Sequence, residues 1–434
     1  MYNIFPNFFC ELVYKKYFII DILLTQETKE LQGINNLLHI STVPITITAI
    51  LLQNGSFNLN TKKEKKMKII CYKEHLHQAI QIVQKAIHTK APSPILTGIY
   101  ISTENNKIEL QATNYEISIK CSIDAQIIEH GSIVLSGKYM QEIIRRLPGG
   151  QVQISNSEKD NTIQIISNQA QFNLLSLASE EFPVLKHLPE DNKLAIQDII
   201  LQNMIKKTVF SCANDDSRPI FTGCLFETDD QGMRMAATNT HRMALKKETV
   251  IVDKQVQMII PAKVLVELSR MINFEEPTDI NIYWHRNEIA FEFKNVYMIS
   301  RLIEGQFPDY NKVIPKHFTT SVIVNSEDFF NAITLISLLS RDSDYNVIKL
   351  TFSENEIIIS SNNPDIGKAT ETLSSTLQGE CLTVAFNSTY LTDIMKNIDT
   401  KEIEISLNTP LSPACIKQCN DDQYIYIVTP VRTN

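Results

Sequence analysis

The chain repeats itself at the distance of a whole domain. Thr113-Asn114 in QATNYEISI, Thr238-Asn239 in AATNTHRMAL and Asn362-Asn363 in ISSNNPDIG put Thr113, Thr238 and Asn363 at successive intervals of 125 residues. That interval is longer than a solenoid repeat and suits a complete domain. Other features recur in the same register. The polar turn Glu104-Asn105-Asn106 is matched by Asp229-Asp230-Gln231 and by Ser353-Glu354-Asn355, each between alternating apolar runs, which reads as a hairpin. Phe182-Pro183 returns as Phe307-Pro308, and Lys138 in SGKYMQEIIRRL as Lys263 in PAKVLVELSRMI, with STYLTDIMKNI as a third member. A chain of 434 residues also exceeds what one hydrophobic core sustains. We therefore expect three similar domains at 67–190, 191–316 and 317–434.

Within each copy the spacing predicts strand, helix, hairpin strands, helix, strands. The first helices carry apolar positions at i, i+3, i+4 and i+7: Leu76, Ala79, Ile80, Val83; Leu201, Met204, Ile205, Thr208; Phe329, Ala332, Ile333, Ile336. Such a stripe buries one helical face. Segments such as Tyr115 to Ile123 alternate with period two and read as half-buried strands. Each copy is then an α+β unit with two helices on one side of antiparallel sheet. With 12 glycines in the chain, Asn, Asp and Ser make most turns, and Pro148-Gly149-Gly150 is the clearest turn within the first copy.

Residues 1–66 fall outside the repeat. Their apolar runs, Phe18 to Leu24 and Ile40 to Leu52, are too short to cross a bilayer and lack the order of a secretory leader. Met67, directly before the first strand-like run, is the expected start of the folded protein. The eight cysteines form no C-x-x-C pair, which fits reduced, cytoplasmic thiols without zinc or disulfides. The sequence contains no G-x-S-x-G, H-E-x-x-H, phosphate-binding loop or G-x-G-x-x-G. Asn214-Asp215-Asp216 and Asp342-Ser343-Asp344 would suit a divalent ion in a nuclease, but acidic clusters without matching ligands are usually loops. We expect no catalysis, metal or cofactor.

The net charge of −8 argues against a simple basic nucleic-acid binder. The charge is nevertheless local. No Asp or Glu occurs from His75 to His88, Ile199 to Ala213 or Phe329 to Arg341, while Lys85, Lys206, Lys207 and Arg341 do. The second helices add Lys138, Arg145, Arg146, Lys263, Arg270 and Lys396 against Glu142, Glu267 and Asp393. Six helices biased alike predict a shared basic surface that would touch phosphates without reading sequence.

From Met67 onward the chain resembles the bacterial DNA polymerase III β subunit family, the sliding clamps. The resemblance rests on MKIICYKEHL, SPIL from Ser93, GCLFETD from Gly223, AATNTHRMAL, IEGQFPDYNKVIP from Ile303, NNP from Asn362 and TPVR from Thr429. It implies a head-to-tail homodimer of three-domain chains, a closed ring with helices inside, antiparallel sheets outside and duplex DNA through the hole. It also implies a pocket between the second and third domains for a linear peptide of the polymerase III catalytic subunit, the clamp loader, other polymerases and repair proteins. Carried over by position, that pocket uses Phe221, Thr238, Thr240, His241, Arg242, Met243, Pro308, Lys312, Val313, Ile427, Thr429, Pro430, Val431 and Arg432. Thr240 stands where the family commonly has glycine, Lys312 where arginine is frequent and Thr429 where methionine is frequent.

For DNA the resemblance adds Lys90, Arg218 and Lys263 to the basic helix residues, with Asp215 beside them in place of a neutral residue. For ring closure it points to Phe172 facing Leu335 and Ile336. The expected function is a DNA sliding clamp that confers processivity on the replicative polymerase. The rival readings are a three-domain protein scaffold that never encircles DNA and a metal-dependent nuclease.

Overall fold

The computed structural model describes residues 66–87, 93–157, 162–250, 254–272, 274–340 and 346–432. The expectation for the segment preceding Met67 lies outside them, as do Lys90, Arg341 and the Asp342-Ser343-Asp344 cluster. Six helices are described: α1 (Lys73–Val83), α2 (Gly137–Arg146), α3 (Asp198–Thr208), α4 (Ala262–Met271), α5 (Ser326–Ile336) and α6 (Ser388–Met395). The apolar stripes face inward as their spacing requires. Leu76, Ala79, Ile80 and Val83 are buried on α1, and Phe329, Ala332, Ile333 and Ile336 on α5. Each large apolar side chain so buried contributes about 1.5–3 kcal/mol. Thr208 is also buried on α3, because its hydroxyl donates to Met204 O at 2.7 Å and carries no unmet polarity into the core. Asn325 and Asn387 start α5 and α6 by accepting from the first free backbone amides.

The strands form three antiparallel sheets. A five-stranded sheet runs in the order Gln126–Glu129, Lys68–Tyr72, Gln151–Asn156, Thr162–Ser167, Ala170–Leu175. An eight-stranded sheet joins the first two domains: Lys193–Gln197, Asp279–His285, Glu288–Phe293 and Val296–Arg301 of the second continue into Ile117–Asp124, Lys107–Thr113, Gly98–Glu104 and Ser132–Ser136 of the first. A twelve-stranded sheet joins the second and third. It runs Val256–Pro261, Gly223–Asp229, Gly232–Thr238, Arg242–Glu248, then Tyr424–Val428, Ala414–Gln418, Glu402–Leu407, Thr320–Asn325, Gly367–Gln378, Glu356–Asn363, Val347–Phe352, Leu382–Asn387. The first and second domains thus each contribute strands to two sheets, where the sequence pattern suggested a single one, while the strands of the third all lie in the twelve-stranded sheet. Period-two alternation gives each strand a buried face and is silent on which strands pair.

The repeated Thr-Asn pair has a definite task. Asn114 Oδ1 accepts from the backbone N–H of Glu116 and Ile117, and Asn239 Oδ1 accepts from His241 and Arg242. Asn363 Oδ1 accepts from Asp365 in the third copy. These side chains close a tight turn by mimicking a backbone bond. In the first two copies the residue inside the turn takes a left-handed conformation, Tyr115 at φ 71° and Thr240 at φ 76°. Immediately after each turn begins the strand that leaves its own domain. Ile117–Cys121 pairs with Val296–Ser300, and Arg242–Lys246 pairs with Tyr424–Val428. The third copy launches Gly367–Gln378, whose first residues pair with Glu356–Asn363 and, among the described residues, with no other strand.

Candidate functional site

The junction between the second and third domains gathers the residues expected of the pocket. Phe221, Met243 and Ile427 belong to one buried apolar cluster with Leu225, Leu245, Ile259, Phe307, Tyr310, Cys415 and Ile425. Phe221 and Phe307 meet edge to face at 6.2 Å. Around this floor Thr238, Thr429, Pro430 and Val431 are half-buried, while Thr240, His241, Pro308, Lys312, Val313 and Arg432 are exposed. Thr429 is held by its backbone N–H and hydroxyl, which both donate to His241 O at 2.9 Å. An apolar floor with an exposed, more polar rim suits apolar anchor side chains oriented by a few polar groups.

Arg242 has a different task from its neighbours. Its guanidinium lies behind the floor, 6% exposed, donating to Asp393 Oδ2 at 2.6 Å and to Phe210 O between the rings of Phe210 and Tyr390. It braces the two domains against each other. Sequence reasoning also missed Phe307 and Tyr310, although both stand in the FPDY motif. Tyr310 donates to Glu227, which with Asp229 also holds Arg234. Burial and the Glu227 carboxylate push the Tyr310 hydroxyl well above its usual pKa, so it remains a donor. Beside it lies a polar cleft of about 450 Å³ lined by Glu227, Asp229, Arg234, Lys247, Tyr310 and Gln423, outside the residues expected of the pocket.

The same junction is built twice, and only one copy has this apolar floor. Arg301 N–H bonds Glu116 O at 3.2 Å between the first two domains, as Thr429 bonds His241 between the second and third. Where the second junction has Met243 and Leu245, the first has Ser118 and Lys120, 125 residues earlier. Its linker folds inward as well. Leu188 is buried with Tyr283 and Tyr297, and its N–H donates to the Tyr297 hydroxyl at 2.8 Å. The counterpart of Leu188, Val313, is 45% exposed. One junction is therefore filled by its own chain and the other left accessible.

On the helices, Lys138, Arg145, Arg146, Lys206 and Lys263 are exposed, as is Arg218 in the loop after α3. Arg145 and Arg146 share Glu142, which holds its carboxyl below the usual range chiefly through the Arg145 bond. Asp215 is folded onto Ser217, whose hydroxyl and backbone N–H both donate to it. Lys85 bridges from the segment after α1 to Glu267 on α4 at 3.1 Å, so helical surfaces of adjacent domains meet. Two expected residues are corrected. Lys207 is not on the exposed face: it is 2% exposed, bonded to Asp399, Asn397 O and Gln418, with its ammonium over the Tyr424 ring. The next helical residue points about 100° away from Lys206, and here that direction is the interdomain seam. Ile336 is 2% exposed within the third-domain core, so it has no surface to offer a second chain. Leu335 and Phe172 do, at 57% and 38%. Among the described residues no group of three or more His, Cys, Asp or Glu side chains could hold a metal, and no helix is long and apolar enough to cross a membrane.

Comparison with known proteins accounts for all three repeats. Residues 67–186 match the DNA polymerase III beta subunit N-terminal domain, 195–309 its central domain and 311–432 its C-terminal domain. The beta sliding clamp of Bacillus subtilis is 34% identical over 379 residues, spanning 85% of this chain and all of that protein. That of Staphylococcus epidermidis is 33% identical over 359 residues, spanning 80% of this chain and 95% of that protein. The crystal structure of the Bacillus subtilis DNA polymerase sliding clamp superposes with a TM-score of 0.81 at 33% identity, covering 85% of this chain and 100% of that one. The sliding clamp of Bartonella birtlesii, bound to griselimycin, gives a TM-score of 0.81 at 28% identity with the same coverage. The chain belongs to the DNA polymerase III beta subunit family, the beta sliding clamps.

Proposed function

We propose that two copies of this chain close head to tail into a ring around duplex DNA and there hold partner proteins by short linear peptides. As a sliding clamp, the protein is a non-catalytic processivity factor in DNA replication. The observation that carries the ring is the pair of strand edges left open. Twice within the chain a strand launched by an Asx turn pairs with the last strand of the next domain. The first residues of the third launched strand, Gly367–Gln378, which pair on one side alone, and the last strand of the first domain, Ala170–Leu175, at the end of its sheet, are the two backbone edges left over by that pattern. Joining them between copies completes six domains, with Phe172 and Leu335 at the seam. Unlike surfaces close a ring when the rotation per domain fits, and three similar domains in each of two chains supply the repeat.

In this reading 67–190, 191–316 and 317–434 are the domains. Lys138, Arg145, Arg146, Lys206, Arg218, Lys263 and Lys90 line the hole and act on phosphates by charge alone. The pocket residues Phe221, Thr238, Thr240, His241, Arg242, Met243, Pro308, Lys312, Val313, Ile427, Thr429, Pro430, Val431 and Arg432 receive the peptide, with Arg242 acting from behind the floor. The partners are the polymerase III catalytic subunit, the clamp loader, other polymerases and repair proteins, in the cytoplasm. Tethering by topology gives a partner a high effective concentration at the template without tight binding to DNA.

The test loads the protein onto nicked circular plasmid with a clamp loader and ATP, then cuts the plasmid once. Retention on the circle and rapid loss from the linear form support the ring. Equal retention on both would mean ordinary charge-driven binding.

A further inference from the structure

We propose that Cys212 and Cys224 form a redox modification site that stiffens one wall of the peptide pocket. The proposal rests on the pocket reading above and adds a means of regulating it. The two sulfurs lie 3.6 Å apart and both side chains are buried, Cys212 at 5% and Cys224 at 0% exposure. Both are free thiols. Packing alone does not call for sulfur here. In the first domain the residues 125 positions earlier are Ile87 and Ile99. Both of those side chains reach into the space that a Cβ on Gly137 would occupy.

The segment between the two cysteines ties them to function. It contains Arg218 and the short helix Pro219–Phe221. Ala213 N–H donates to Phe221 O at 2.8 Å, and Ala213, Ile220 and Phe221 all belong to the pocket cluster. A disulfide needs its sulfurs about 2.05 Å apart, so bond formation closes the gap between them by roughly 1.5 Å and pulls on the two ends of this loop. Phe221 is anchored by the residue next to Cys212 and stands three residues before Cys224. It is therefore moved against Phe307.

The chemistry needs a small oxidant, and a peroxide is the class that fits a nearly closed site. The Cys212 thiolate attacks one peroxide oxygen, the O–O bond breaks, and the hydroxide released takes up the proton the thiol has lost, giving Cys212 sulfenic acid and one water. Cys224 then attacks that sulfur, its proton leaves with the departing hydroxide as a second water, and the disulfide forms. Two thiols have lost two electrons in all and hydrogen peroxide has gained them. The Cys224 bond and burial both hold the Cys212 thiol above its ordinary pKa, so the reaction is slow at neutral pH and faster in alkali.

The experiment treats the full chain with hydrogen peroxide at pH 7 and pH 9. Cross-links are mapped by proteolysis and mass spectrometry. Affinity for a fluorescent peptide with leucine and phenylalanine anchors is measured before and after, and again after dithiothreitol. We expect a Cys212–Cys224 cross-link, a peptide affinity changed at least threefold, and reversal by reductant. Cys212→Ser should be insensitive, and so should Cys224→Ala, which keeps a small apolar side chain should the serine variant misfold. Oxidation of the exposed Cys381 with no Cys212–Cys224 cross-link would overturn the proposal, as would a cross-link that leaves peptide affinity unchanged. If the reduced protein binds no peptide, the pocket reading fails and so does regulation of it, whatever the cross-link map shows.

Discussion

Lys207 on α3 and Asp399 beyond α6 form an ion pair across the seam between the second and third domains, Nζ lying 2.5 Å from Oδ2. The lysine side chain is 3% exposed and the carboxylate 59%. Burial pulls the Lys207 pKa below its ordinary value against the opposing pull of Asp399. Burial, the largest single influence, would raise Asp399, but the Lys207 bond together with the Lys207 and Lys206 charges outweighs it and holds the carboxyl low. Arg242 and Asp393 make a second buried brace at the same junction. The first two domains are bridged instead by Lys85–Glu267, whose side chains are both 24% exposed.

Adjacent lysines should therefore separate cleanly. Lys207→Met takes the ammonium away from Asn397 O and the Asp399 carboxylate, while Gln418 Oε1 keeps the Asp399 N–H, and should lower stability by about 1–3 kcal/mol in urea unfolding. Lys206→Met, at an exposed position, should change stability by less than about 0.5 kcal/mol. It should instead reduce the salt dependence of DNA binding by about one unit of slope. If Lys207→Met left stability intact and reduced that slope, the buried ammonium would have to be on the DNA side after all.

Thr240 is a β-branched residue at φ 76°. Such a conformation costs about 1–3 kcal/mol, and glycine removes it while adding about 0.5–1 kcal/mol of unfolded-state entropy. Thr240→Gly should therefore raise stability by about 1 kcal/mol, seen as a higher melting temperature. The turn survives, since its bonds come from Thr238 and Asn239. A lower melting temperature would mean that the threonine side chain makes a compensating contact.

How much of this was legible beforehand follows from what periodicity can encode. The 125-residue register, the helix stripes and the hairpin turns are local and appear directly in the residues. The Asx turn was visible as a recurring Thr-Asn pair, though its role in launching the interdomain strand needed the pairing partners. Lys207 shows the limit. A lysine next to Lys206 on a helix reads as surface, and what buries it is Asp399 and Gln418, some two hundred residues away. Phe307 and Tyr310 are illegible for another reason: an aromatic residue in a loop motif carries no periodicity, and what buries these two is the strand cluster of Leu225, Met243 and Ile427, with Glu227 accepting from the Tyr310 hydroxyl.

The seam residues divide by exposure. Phe172→Glu and Leu335→Glu place charge on surfaces exposed in the single chain, so each should fold normally and sediment as a monomer. Ile336→Glu puts a carboxylate into the third-domain core and should lower stability by several kcal/mol, about what an unpaired buried charge costs. A dimer that survives both exposed substitutions would remove the proposed seam.

His187 offers a pH test of the filled junction. Its ring lies against Tyr297, tilted by 38° with centroids 4.1 Å apart, and Lys120 Nζ lies 2.7 Å from its Nε2, so the ring accepts that bond in its neutral form. Burial first, then the Lys120 charge, depress its pKa below 6.5, with Glu292, Glu109 and Glu104 opposing at longer range. A depressed folded pKa means that the unfolded chain takes up the proton first. The stabilisation is therefore complete above about pH 6.5 and is lost as pH falls through the depressed value. The melting temperature should drop between pH 7.5 and pH 5.5, and His187→Gln should show a smaller drop. Lys120→Met should raise the His187 pKa, followed by the imidazole proton signals on titration. An unchanged pKa in Lys120→Met would show that burial alone sets it, and an identical drop in His187→Gln would assign the pH response to other groups.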